Sequence, residues 1–218
     1  MLVLALDTAT PASTAALAEV TDGGMRGIAE RRTVDARAHG ELLAPEIAAT
    51  LAEAGVRPRD LDAIVAGVGP GPFTGLRVGL ATAAAMAQTL DIPAYGVSSL
   101  DALGLAAGPG RVLVATDARR REVYWATYSD GRRTHGPDVA RPADMAAEAD
   151  RAVGAGALRY RDVFGLPIDE ILLYPPGAAL VALAAQRVRS HAPGEPLTPL
   201  YLRRPDAVES ASRKSVLQ

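Results

Sequence analysis

Two apolar runs, each closing on an aspartate at a turn, constrain this chain more than any other feature. LVLALD occupies residues 2–7 and VLVATD occupies 112–117, so Asp7 and Asp117 stand half a chain length apart. Each run leads into a second one, at 13–20 and at 122–128. Each second run ends at a hairpin signal, Asp22-Gly23-Gly24 or Asp130-Gly131. A strand, aspartate turn and strand that recur at half length predict a duplicated α/β architecture. The 218 residues suffice for one compact domain or two small ones. A fold of that size buries roughly 70% of its unfolded surface, so it requires no covalent staple.

The segments between the repeats are expected to alternate. A short third strand at 27–33 completes the first meander. Residues 38–54 switch to helical spacing, with Leu43, Ile47, Thr50 and Leu51 on one stripe, Gly55 at the stop and Pro58 beyond it. A buried strand at 61–68 precedes a loop at 69–75 and a helix at 76–90. A strand at 93–97 then leads into a helix where Ser98 and Asp101 have capping-box spacing, with Asp in place of Glu or Gln. In the second half we expect a short helix at 143–150, a short strand at 152–155, irregular chain at 166–176 and a last helix at 177–191. Residues 193–202 read as an extended surface path, and the end from Asp206 as mobile. This places an N-terminal lobe at 1–105 and a smaller C-terminal lobe at 106–218.

Composition removes several chemistries. Cysteine is absent, which excludes disulfides, zinc–thiolate sites and cysteine nucleophiles and fits a reducing, cytoplasmic setting. No apolar stretch is long enough to span a bilayer, and the opening residues read as a strand and not as a secretory leader. The net charge of −2 argues against a chain that binds nucleic acid on its own. Its basic charge is arginine apart from Lys214, so neither a phosphate-loop lysine nor a Schiff-base lysine is expected.

The most distinctive stretch is Gly67-Val-Gly-Pro-Gly-Pro-Phe-Thr-Gly-Leu-Arg-Val-Gly79. It reads as a strand end, a Gly/Pro loop and a helix start, with Thr74 suited to cap the helix. Free N–H groups at such a helix start are suited to an anion. Two templates fail: three residues separate Gly71 from Gly75, against GxGxxG, and Gly75 is followed by Leu76-Arg77, against GK[ST]. A structural turn and an anion site both stay open on the residues alone.

GPGPFTGLRVG at 69–79, with DTAT at 7–10, DARRREVY at 117–124 and PLYLRRPD at 199–206, resembles the TsaB (YeaZ) family over nearly the whole chain. The resemblance implies an actin-like (ASKHA, ribonuclease H-like) fold with two similar lobes, each a mixed sheet with flanking helices. It implies a non-catalytic partner subunit in forming threonylcarbamoyladenosine beside the anticodon of tRNA. The partners implied are a TsaD-type transferase, which carries the chemistry, and a TsaE-type ATPase that binds the pair; tRNA is met only through the complex. A homodimer is the expected alternative when the chain is alone, and no membrane contact is implied.

Several residues argue for partner over catalyst. The catalytic relative carries a metal-binding HxxxH pair, whereas His39, His135 and His191 have no histidine within four residues. Actin-like ATPases bring two hairpin loops onto phosphate, with small residues at the closest approach. The first loop here has Ala9 where glycine is expected, and the second is bulky, Asp117-Ala118-Arg119-Arg120-Arg121. Asp7, Thr8, Asp117 and Arg119 are the candidate, vestigial nucleotide-binding residues; Asp7 serves either a metal-bound water or its own turn. No cofactor is expected for the chain itself, and ATP or ADP with magnesium is admitted only for the complex. Gly96-Val97-Ser98-Ser99-Leu100 lacks the closing glycine of a nucleophile elbow, so Ser98 reads as a helix cap. The competing readings are an actin-like kinase or ATPase acting on a small molecule, the metal-dependent transferase itself, a protease, and direct tRNA binding. The last would use Arg119, Arg120, Arg121, Arg132, Arg133, Arg203 and Arg204.

The helix at 76–90 is apolar nearly all round, so it is expected to be covered on two sides. Gly75, Gly79, Ala83 and Ala87 form a smooth strip at i+4 steps, which suits a close helix approach. That strip faces either its own lobe or an intersubunit bundle, and the family resemblance favours the second. The expected partner interface is Leu42, Gly75, Leu76, Gly79, Ala83, Met86 and Ala87. On that reading, Ala83→Arg or Gly79→Leu abolishes pairing without unfolding the monomer.

Overall fold

A computed structural model describes residues 1–203. The first sheet runs β3–β2–β1–β4–β5, from β1 (Leu2–Asp7), β2 (Ala12–Thr21), β3 (Gly24–Val34), β4 (Ala63–Gly67) and β5 (Ala94–Val97). The second runs β8–β7–β6–β9–β10, from β6 (Arg111–Asp117), β7 (Val123–Ser129), β8 (Arg132–Ala140), β9 (Arg151–Val153) and β10 (Ile168–Asp169). In both, an antiparallel three-strand meander is extended by two parallel strands beside its first strand. The duplication expected from the two aspartate-terminated runs is therefore a duplication of topology.

β1 reads as a continuous apolar run because both its faces are buried. Val3 and Ala5 face one core with Leu180, Val181 and Ala184 of helix α6 (Gly177–Arg189); Leu4 and Leu6 face another with α1 (His39–Glu53) and α2 (Phe73–Leu90). Fully buried leucines of this kind each contribute about 2 kcal/mol. Helix α3 (Ser99–Ala106) places Leu100 and Leu103 on one face of the second sheet, while Ala157 of α4 (Ala155–Arg159) covers the other. A cut at 105/106 separates the two sheets but not their helices. Helix α6 belongs to the second half of the sequence and packs on the first sheet.

Three local expectations change. Helix α2 begins at Phe73, not at 76, with Pro72 in an extended conformation as its N-cap and no side-chain cap bond. Thr74 thus lies inside the first turn and does not cap it. Residues 143–150 contain no α-helix, only a short 3₁₀ turn at Pro142–Asp144. There Met145, Ala147 and Ala149 pack under the second sheet while the residues between them are exposed. That is a period of two, and it demands extended chain. Last, 152–155 yields β9 ending at Val153, after which Gly154 turns with φ 101° into α4 and α5 (Arg161–Phe164), two short helices the sequence reading lacked. Residues 193–202 are extended as expected, paired to the first lobe by Glu195 N–H on Ala94 O and Leu200 N–H on Val68 O. The tail from Asp206 and Arg204 lie outside the described residues.

Candidate functional site

The turn after β1 is buried and saturated. Asp7 Oδ1 accepts the N–H of Ala9 at 3.0 Å, and Oδ2 accepts the Ser99 hydroxyl at 2.5 Å. Gly67 passes directly over the carboxylate, where a Cβ would sit 1.8 Å from Oδ2. Burial pushes the Asp7 carboxyl up to about 6, against the lowering effect of those hydrogen bonds and of Arg32. Asp7 therefore closes its own turn and ties β1 to the start of α3. Both oxygens are taken, so the residue does not fit the task of holding a metal-bound water in this packing. Thr8 is equally committed: its hydroxyl donates to Gly75 O at 2.7 Å and accepts the N–H of Gly79 at 3.0 Å.

The Gly/Pro loop explains its glycines at the same place. A Cβ on Gly71 would meet Ala9 O at 2.3 Å, and one on Gly79 would meet Thr8 Oγ1 at 2.4 Å. The backbone approach that the glycines permit is thus made by the chain's own first turn. A phosphate at Asp7 and Thr8 would have to displace this loop.

The turn after β6 is the opposite. Arg119, Arg120 and Arg121 all adopt left-handed backbone, with φ of 60°, 53° and 63°. Each such residue costs roughly 1–2 kcal/mol for a side chain with a Cβ. Asp117 Oδ2 pairs with Arg159 at 3.3 Å, and its Oδ1 is buried with no hydrogen-bond partner. Between the two turns lies a cleft of about 600 Å³, whose walls include His39, Thr74, Asp117, Arg119, Tyr124 and Tyr201. Of the four candidate nucleotide residues, Asp117 and Arg119 line this cleft, while Asp7 and Thr8 are buried behind it. The structure does not bring the four together.

Most of the expected interface strip is buried within the chain's own lobe. Gly75, Leu76, Gly79, Ala83 and Ala87 are buried against the first sheet and the first turn, and Leu42 and Met86 are half-buried beside them. The small residues admit Thr8 and His39 closely, so their smoothness serves the lobe's own packing. Ala83→Arg and Gly79→Leu would consequently damage the fold. What α1 and α2 leave in solvent is a different surface: Ala44, Ala48 and Ala52 on α1, with Ala81, Ala84 and Ala85 on α2. Gln88 continues it, and charge appears only at its ends, with Glu41, Glu53 and Arg77.

His39 is neither solvated nor a cap. It is buried at the start of α1, its Nδ1 is 2.8 Å from Ser13 Oγ, and burial lowers its pKa. Nothing in the sequence pairs Ser13 with His39, since they meet only when α1 folds onto β2. Ser98 does cap α3, accepting the N–H of Asp101, but the Asp101 carboxylate turns to Tyr128 and Arg133 and completes no capping box. Among the described residues no three His, Asp or Glu side chains converge as a metal site. None of their helices is long and apolar enough to cross a membrane.

A model of the family described as TsaD, tRNA N6-adenosine threonylcarbamoyltransferase, matches residues 28–207. The solved structure titled YeaZ from Pseudomonas aeruginosa is 32% identical, with a TM-score of 0.77, over 92% of this chain and 99% of that one. The chain belongs to the TsaB (YeaZ) family. Escherichia coli (strain K12) has the tRNA threonylcarbamoyladenosine biosynthesis protein TsaB, 39% identical over 59% of this chain and 55% of its own length. An uncharacterized protein of Mycobacterium tuberculosis (strain H37Rv) is 53% identical over 94% of this chain and 93% of its own. For this TsaB (YeaZ) family member, the paired mixed sheets with flanking helices are the actin-like, two-lobed fold that the resemblance implied.

Proposed function

We propose that this chain is a non-catalytic subunit in the biosynthesis of threonylcarbamoyladenosine on tRNA, docking a TsaD-type transferase through the exposed face of α1 and α2. The observation that carries the docking site is the uncharged alanine surface of Ala44, Ala48, Ala81, Ala84 and Ala85, set on two adjacent helices and flanked by charge at its ends. Two helices that present only small side chains let a second pair approach within about 8–10 Å between axes. A stable docking of this type would bury roughly 800 Å² per partner. The family membership supports the pathway, since relatives 35–39% identical over 58–59% of this chain carry that biosynthetic name. In this reading the reaction is cytoplasmic, a TsaE-type ATPase joins the pair, and tRNA is bound by the assembly. The same face serves self-pairing when the transferase is missing.

The chain's own chemistry supports an accessory role. The first turn is filled by the chain itself, and the carboxylate that would serve a metal-bound water is spent on Ala9 and Ser99. Nucleotide, where it enters, belongs to the assembled complex.

The test is purification of this chain with the transferase of the same organism, followed by an assay of tRNA modification with and without it. The reading expects a one-to-one complex and modification that depends on this chain. Absence of a complex, together with ATP turnover by the isolated chain, would favour the kinase or ATPase alternative.

A further inference from the structure

The extended segment after α6 crosses from one lobe to the other, and its contacts are sorted by position. In its first part it is held on the first lobe: Glu195 N–H reaches Ala94 O, the Glu195 carboxylate accepts Gly96 N–H and pairs with Arg187 of α6, and Leu200 N–H reaches Val68 O. Tyr201 then stacks on Phe73 at the start of α2, with ring centroids 5.3 Å apart, and its hydroxyl accepts from Arg77 at 3.1 Å. Arg77 in turn lies 4.0 Å over the Phe73 ring. Two residues later the chain has changed lobes. Leu202 packs on the core of the second sheet, and Arg203 donates to Ala118 O at 3.0 Å and ion-pairs with Glu122.

Ala118 and Glu122 are the two ends of the turn that holds Arg119, Arg120 and Arg121 in left-handed backbone. They are also hydrogen-bonded to one another, Ala118 N–H to Glu122 O, with Glu122 N–H on Arg119 O. Arg203 therefore spans the base of an unfavourable turn. Tyr201, Leu202 and Arg203 also form one wall of the 600 Å³ cleft.

We propose that residues 199–203 are a latch across the cleft. Tyr201 docked on Phe73 and Arg77 holds Arg203 at the base of the arginine turn. Undocking the tyrosine frees the turn from its clamp and removes a wall of the cleft. Phe73 and Tyr201 are both exposed, at 46% and 38%, so the docked pair is accessible from solvent. The inference concerns the free chain and does not depend on the partner reading.

Hydrogen exchange of the full chain, resolved to peptides, tests it. Tyr201→Ala does not touch the β6–β7 turn, yet the latch predicts at least tenfold faster exchange at Ala118 and Glu122, with β1 and β6 still protected. Tyr201→Phe keeps the ring stack and should stay within threefold of the parent. Should Tyr201→Ala lose protection throughout, Arg203→Met supplies the second test. It must release the turn tenfold while the Leu200 amide, held by Val68, keeps its protection. Because the chain has no cysteine, Val78→Cys gives a single thiol on the cleft wall, and its labelling should accelerate about fivefold when Tyr201→Ala is added. A turn whose exchange is unchanged in Arg203→Met, or a Tyr201→Ala effect confined to 199–203, overturns the latch.

Discussion

The turns after β1 and after β6 occupy equivalent places in two sheets of the same topology, and they have been put to opposite uses. The first is sealed. Asp7, Thr8 and Ala9 are buried, their polar atoms are paired within the chain, and Gly67, Gly71, Gly75 and Gly79 let other backbone reach them. The second stands at the mouth of the cleft, carries three arginines in left-handed backbone, and leaves one Asp117 oxygen without a partner. Duplication supplied the same strand–turn–strand frame twice, and packing by the Gly/Pro loop converted one copy into a core element. A turn's position in a fold thus does not decide its role; what fills the space in front of it does.

The sealing of the first turn depends most on Gly79. Leucine there must displace Thr8 and unseat α2, so Gly79→Leu should cost about 3 kcal/mol or more in urea denaturation. A variant as stable as the parent would show that the first turn has room after all.

The acid in that turn gives the next largest effect. Folding raises the Asp7 pKa from 3.8 to about 6, so the folded state binds the extra proton between those values. Stability from this group is greatest below pH 4, falls as pH rises through 4 to 6, and changes no further above that. The full loss is about 3 kcal/mol. Asp7→Asn should abolish this slope and be more stable than the parent at pH 7.5. An unchanged slope in the variant would assign the pH dependence to other groups. Thr8→Val removes one donor and one acceptor from a buried site, and should cost about 1–2 kcal/mol by the same denaturation.

The second turn should respond with the opposite sign. Arg121→Gly relieves one left-handed residue and should raise stability by up to about 1 kcal/mol, less the entropy that glycine adds to the unfolded chain. Loss of stability there would mean the arginine side chain repays its backbone.

Much of the frame was legible because its signals are local. The β1 and β6 runs, the Asp-Gly turns and the Leu43, Ile47, Thr50, Leu51 stripe each report a period or a backbone need that neighbours in sequence can express. What failed was decided by distant chain. The spacing of Gly75, Gly79 and Ala83 announces that something approaches α2 closely, but not whether that is a partner helix or Thr8. The alanines of 143–150 favour helix by propensity, yet Met145, Ala147 and Ala149 are drawn one by one under the second sheet. The start of α2 was misplaced because Pro72 does the work of a cap through its backbone alone. The pairing of Ser13 with His39 and of Phe73 with Tyr201 left no trace in the sequence.

We propose that the transferase meets the exposed face of α1 and α2 and not the buried strip. The most direct measurement is size-exclusion chromatography of Ala84→Arg with the transferase, alongside thermal unfolding of the variant alone. The expected result is an unfolding temperature within about 2 °C of the parent, as for any exposed substitution, and no complex. A complex of undiminished yield, formed by a variant that folds normally, would contradict it.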